Sequence, residues 1–227
     1  MTRASLSALL TLTVLALPAG AQADSKTCHG ERVTVRGTDG DDSHLRIRSG
    51  DVVALGDGND LVVVSGPSRV TICGGQGDDT IYAGVGAGRD LLFDGEEGTD
   101  NVGSAWPGGP KAAAHPMRLY GGPASDGVWG GRADDVMHGG NGGDLLGGNG
   151  GDDRIAGQAG SDKSVSGGPG DDLLTGGRGD DNLFGAESFQ RPSPPRGDIA
   201  DCGAGRDYSN VRGAVSCEAR DINFRDG

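Results

Sequence analysis

Across residues 130–156, GGRADDVMH-GGNGGDLLG-GNGGDDRIA, an aspartate returns at the sixth place of each nine-residue block: Asp135, Asp144 and Asp153. An apolar residue follows two places later: Met137, Leu146 and Ile155. A fixed period of this kind constrains the chain more than any local motif, because each block must take up one conformation and bury its lone apolar side chain against its neighbours. The glycines between them permit left-handed backbone and bring carbonyls toward a common point. The expected unit is therefore a six-residue turn followed by a three-residue strand with one inward side chain.

The same frame runs over about two thirds of the chain. Sixth-place acids are Asp42, Asp51, Asp60, Asp79, Asp90, Asp100, Asp126, Asp135, Asp144, Asp153, Asp162, Asp172 and Asp181, while Val70 stands in the aspartate place of its block. Eighth-place apolar residues include Val53, Val62, Ile72, Ile81, Leu92, Val128, Met137, Leu146, Ile155, Leu174 and Leu183. Residues 103–118, GSAWPGGPKAAAHPMR, interrupt the pattern, and it ends near Phe184.

Composition disfavours an ordinary globule. Of 227 residues 46 are glycine, 34% are hydrophobic and 4% aromatic, so an ordinary core would be thin. The glycines do not recur every third residue, which excludes a collagen helix. A net charge of −13 with low hydrophobicity is also a disordered composition, but a flexible acidic spacer has no use for the apolar eighth place. The acidic balance disfavours nucleic acid as a partner.

Blocks such as GGQGDDTIY from Gly74 and GGNGGDLLG from Gly139 resemble the calcium-binding repeat of RTX (haemolysin-type) proteins, G-G-x-G-x-D-x-U-x. The flanks resemble a secreted bacterial subgroup with terminal disulfides: a cysteine before GTDGDD, ICGG at Cys73, and a closing DCGAGRD…CE. The resemblance implies an all-β fold, a parallel β-roll (a β-helix or solenoid) with two blocks per coil, holding several Ca2+ ions between successive coils. It implies metal ligands at Asp42, Asp60, Asp79, Asp90, Asp100, Asp126, Asp135, Asp144, Asp153, Asp162, Asp172 and Asp181.

Elementary electrostatics gives the metal a folding role. Parallel strands lie about 4.8 Å apart, and carboxylates stacked at that spacing repel by roughly 3–4 kcal/mol per pair at an effective dielectric near 20. One buried Leu or Ile per block returns only about 1.5–3 kcal/mol, before any backbone ordering is counted. Calcium takes six to eight oxygen ligands and converts that repulsion into attraction, so metal binding and folding of the repeats are expected to be one event. With block n facing block n+2 on one edge, Val70 should weaken the site beside Asp51, and the run Asp126 to Asp181 should bind most tightly.

Residues 1–23 read as a cleavable secretory signal: Arg3, the apolar run Leu6 to Leu17, and Ala21-Gln22-Ala23. The run is too short for a confident membrane span, so a secreted, extracellular chain is expected. Cys28, Cys73, Cys202 and Cys217 then suggest two disulfides with three possible pairings. The most local joins Cys202 to Cys217 and leaves Cys28 with Cys73. The expected organisation is signal peptide 1–23, N-terminal cap 24–36, first repeat block 37–102, insertion 103–118, second repeat block 119–184, and linker with C-terminal cap 185–227.

Other signals carry less. GVGAGRD at Gly84 has no helix-forming run after it, and neither a P-loop nor a nucleophile elbow occurs. His29, His44, His115 and His138 are scattered. Arg196–Asp198 spells RGD after a RPSPPR linker, where exposure is expected, in a chain whose composition makes that tripeptide common. Trp106 in the insertion and the pair Tyr120/Trp129 are candidates for a partner-facing patch. No enzyme is expected. Calcium is the expected partner, with a cell-surface polymer or protein as a further one and no membrane span. The alternative is a calcium-dependent secreted enzyme or accessory module with its site in 103–118.

Overall fold

The computed structural model describes residues 27–84, 86–104, 113–185, 197–211, 214–217 and 219–220. The signal segment, residues 105–112 of the 103–118 insertion with Trp106, and the linker from 186 to 196 lie outside the described residues. Within them every regular element is a strand. Among the described residues no helix is long and apolar enough to cross a membrane.

From Val52 to Ser209 the strands alternate between two parallel sheets, each nine-stranded, each coil giving one strand to each. The first sheet runs Val35–Arg36, Val52–Asp57, Val70–Gln76, Leu91–Glu97, Met117–Pro123, Val136–Asn141, Arg154–Ala159, Leu173–Arg178 and Ile199–Ala204. The second runs Leu61–Val64, Thr80–Ala83, Asn101–Ser104, Gly127–Trp129, Leu145–Gly147, Ser164–Ser166, Asn182–Phe184, Tyr208–Ser209 and Ala219–Arg220. This is the expected β-roll. Apart from Val35–Arg36, strands of the first sheet are longer than three residues, because they continue into the opening residues of the next block.

Eighth-place residues line the interior in single file. Val53, Ile72, Phe93, Leu119, Met137, Ile155, Leu174 and Ala200 come into register on the first sheet. They face Val62, Ile81, Val102, Val128, Leu146, Val165 and Leu183 from the second. All are buried, most of them completely. The structure corrects the frame at one block: Leu91 and Phe93 point inward, whereas Leu92, in the eighth place by counting, is only half-buried.

Disulfides tie both ends, Cys28–Cys73 and Cys202–Cys217. The first fastens the antiparallel hairpin Thr27–Cys28/Glu31–Arg32 to the roll.

Candidate metal centre

The turns place the sixth-place aspartates in two buried rows, one along each edge of the roll. On the long edge, nine carboxylates follow one another without a gap: Asp42, Asp60, Asp79, Asp100, Asp126, Asp144, Asp162, Asp181 and Asp207. Each backbone N–H donates to Oδ1 of the next aspartate, over 2.7–3.0 Å. On the other edge the row is Asp135, Asp153, Asp172 and Asp198, linked in the same way. Above it the place belongs to Met117, whose N–H donates 2.7 Å to Asp135 Oδ1. Leu91 and Val70 precede Met117 in register.

The second carboxylate oxygen is the informative one. Oδ2 of Asp60, Asp79, Asp100, Asp126, Asp144, Asp153, Asp162, Asp172, Asp181, Asp198 and Asp207 is buried and has no hydrogen-bond partner. The first members of the rows differ. Thr38 N–H donates 2.6 Å to Asp42 Oδ2, and Gly131 N–H donates 2.6 Å to Asp135 Oδ2. Thr38 and Gly131 stand four residues before their aspartates. At the same place before later rungs, left-handed backbone appears: Gly56, Gly75, Glu96, Gly122, Gly140, Gln158, Gly177 and Gly203 on one edge, Asn149 and Gly168 on the other. That conformation accompanies the missing N–H contact at Oδ2.

Opening glycines make room for further oxygen. A Cβ on Gly121 would lie 2.5 Å from the carbonyl oxygen of Gly139 and 2.7 Å from Asp126 Oδ2, so only a glycine lets the two approach. The same pair of groups, own-block Oδ2 and the carbonyl of the next coil's opening residue, meets at Gly74, Gly95, Gly130, Gly139, Gly148, Gly157 and Gly176.

Burial raises the carboxyls against the ionised form, and neighbouring carboxylates of the row add to it in most cases: Asp153 to about 8, Asp79, Asp100 and Asp172 to about 7. Asp126, Asp135, Asp162 and Asp181 rise to about 6 for the same leading reason. Asp60, Asp144 and Asp198 are also raised by burial. Past the first member of each row, the buried acids bring an unpartnered Oδ2, in most coils beside a backbone carbonyl, and together they form a donor set of hard oxygen atoms. It fits a hard divalent cation, and calcium in particular, which accepts many oxygens in flexible geometry.

Comparison with protein families finds the RTX calcium-binding nonapeptide repeat in four copies, over residues 62–92, 118–146, 129–163 and 164–187. These are RTX calcium-binding repeats. RTX repeats bind Ca2+, and the buried aspartate rows agree with several sites. Comparison with curated proteins finds no match.

Of the expected ligands, eleven enter the two aspartate rows: Asp42, Asp60, Asp79, Asp100, Asp126, Asp144, Asp162 and Asp181 on the long edge, Asp135, Asp153 and Asp172 on the other. Asp90 does not. It is exposed at φ 56°, and Leu91 occupies the row position, because the turn after Ala83 is longer than the six-residue turn of the long edge. Two members escaped the nine-residue frame, Asp198 and Asp207. Asp207 stands five residues after Cys202, as Asp181 does after Gly176, so the spacing alone was enough to find it. Asp198 lies in the RGD tripeptide, and at 5% exposure it is not displayed as an adhesion signal would be.

Where an acid precedes the row aspartate, as Asp134, Asp152 and Asp171 do, it has its own task. Asp134 Oδ1 accepts from Asp152 N–H and Asp152 Oδ1 from Asp171 N–H, both at 2.9 Å. This outer row runs opposite in sense to the inner one and satisfies the turn amides at the surface.

Tyr120 and Trp129 are not a pair. Tyr120 is on the first sheet, between His29 and His138 with ring centroids 4.9 and 5.0 Å away, whereas Trp129 is on the second sheet over Gly147. His29 Nε2 is 2.7 Å from Asp94 Oδ2. The adjacent Cys73 sulfur is consumed in its disulfide, so this trio is not a thiolate metal site.

Proposed function

We propose that the chain is a secreted protein whose direct activity is to bind several calcium ions through the aspartates of its two rows, from Asp42 to Asp181 on the long edge and from Asp135 to Asp172 on the other. Calcium binding and folding of the roll form one event, and the loaded roll serves as a structural or adhesive extracellular element rather than as an enzyme. The observation that carries this reading is the series of buried Oδ2 atoms without a partner. An unpaired buried carboxylate is among the costliest groups a fold can hold, and a divalent ion between rungs supplies what each one lacks. When bound, the ion contributes positive charge and links adjacent turns. The chain contributes the spacing, the glycine turns that let oxygens converge, and the apolar file that aligns successive coils.

Two disulfides support export, since they persist in oxidising compartments. The test is a calcium titration followed by far-UV circular dichroism, with magnesium as control. Strand signal should develop with calcium and disappear in excess EGTA. A chain already strand-rich in EGTA at pH 7.5 would refute the coupling. Retention on cell-wall polymers only when calcium is present would support the adhesive role.

A further inference from the structure

The nine-residue pattern ends near Phe184 and the family matches end at residue 187, yet the row of buried carboxylates continues past both. We propose a further calcium site at the junction between the last repeat coil and the disulfide cap, made by the carboxylates of Asp181 and Asp207 and the backbone carbonyl of Cys202. A companion site lies on the opposite edge between Asp172 and Asp198. The proposal rests on the calcium reading above and extends it into a segment outside the matched repeats.

Asp207 is 1% exposed and Asp198 5%, and the Oδ2 atom of each is buried without a partner. Oδ1 of Asp207 accepts from Asp181 N–H at 3.0 Å, and Oδ1 of Asp198 from Asp172 N–H at 3.0 Å. These are the contacts that hold every earlier rung. A Cβ on Gly176 would lie 2.5 Å from Cys202 O and 2.6 Å from Asp181 Oδ2, so the cysteine carbonyl stands where a glycine carbonyl stands in earlier coils. The neighbouring cation does not neutralise the row. The Arg206 side chain is 84% exposed and turns outward to Asp180, 3.4 Å away.

The consequence is a clamp. Cys202 belongs at once to the cradle and to the disulfide with Cys217, and its N–H donates to Val215 O at 3.1 Å. An ion at Asp181/Asp207 therefore fastens the disulfide-closed cap onto the repeat coils, and the companion ion fastens the strand Ile199–Ala204 from its other end.

Native mass spectrometry of the full chain in calcium, on wild type, Asp207→Asn and Asp198→Asn, tests the idea. The amide keeps the Oδ1 acceptor and removes the charge. Each variant should hold one ion fewer than wild type. Wild type holding no ions would refute the calcium reading itself, whereas variants that keep the full wild-type count would overturn the cap sites alone. Hydrogen exchange on the wild-type chain gives a second readout that needs no variant. Amides of 199–209 should gain at least tenfold protection when calcium is added. Unchanged exchange there, with protection gained across 136–184, would also overturn the proposal.

Discussion

Gly140 has φ +127°, and a Cβ there would overlap the carbonyl oxygen of Gly122 in the coil before. Backbone, unlike a flexible side-chain tip, cannot step aside without moving a whole turn. Gly50 shares the left-handed conformation at φ +86° but has nothing within 4 Å of its missing Cβ. Gly140→Ala should therefore cost about 3 kcal/mol or more and Gly50→Ala about 1 kcal/mol, read from thermal melting in saturating calcium. The aspartates divide in the same way. Asp144 is fully buried with an unpartnered Oδ2, whereas Asp51 is half-buried and already accepts from Arg48 N–H at 2.7 Å and Thr34 Oγ1 at 3.2 Å. Asp144→Ala should weaken calcium binding more than Asp51→Ala does, and equal effects by calorimetry would contradict the assignment of the rows.

At the scale of the element, the two edges are unequal. The long edge keeps the same six-residue turn throughout, even where Leu55 or Cys202 replaces the opening glycine. On the other edge the first three coils put Val64, Ala83 and Ser104 in the glycine place and Val70, Leu91 and Met117 in the aspartate place, all six buried. In these coils glycine and carboxylate are absent together, so these turns lack both the close backbone approach and the anion. Leu91→Asp should add a buried charge with no oxygen cradle around it, lowering stability by about 3 kcal/mol and leaving the calcium count unchanged.

The rows also set a pH dependence. Their carboxyls stand above the ordinary value near 3.8, at about 6 to about 8 where largest. Without metal, the folded roll is thus most favoured below about pH 4 and loses that advantage as pH rises through the 6–8 range. With metal the sign reverses, because calcium needs the ionised form and must displace the proton. Half-saturation should require much more calcium at pH 5 than at pH 8, with proton release on binding, and the metal-free chain should gain strand signal on acidification. Circular dichroism at the two pH values checks both.

For the whole molecule, stability comes from stacking rather than from a central core. Each coil touches its two neighbours, and the interior is one file of side chains, so a defect in the middle propagates in both directions. Met137→Ala, which empties a fully buried position, should cost about 2–5 kcal/mol and lower the strand signal at intermediate calcium. The disulfides act at the ends. Cys28–Cys73 closes a loop spanning 45 residues. In the chain-entropy account a loop of that length is worth about 4 kcal/mol. Replacing both cysteines by serine should raise the calcium midpoint of folding without changing the number of ions bound.

The period of the chain by itself determined the solenoid, its inward file and eleven of the row members, because each block states its own local needs: one side chain to bury, one carboxylate, and glycines where backbone must come close. Which aspartates share an edge was decided only in three dimensions. Successive rungs of the long row are 18, 19, 21 or 26 residues apart. A turn can lengthen at the surface without shifting the strands it joins, since only the strands are held in register by hydrogen bonds. For that reason Asp90, in phase by counting, sits outside the row, while Asp198, beyond the counted pattern, sits inside it.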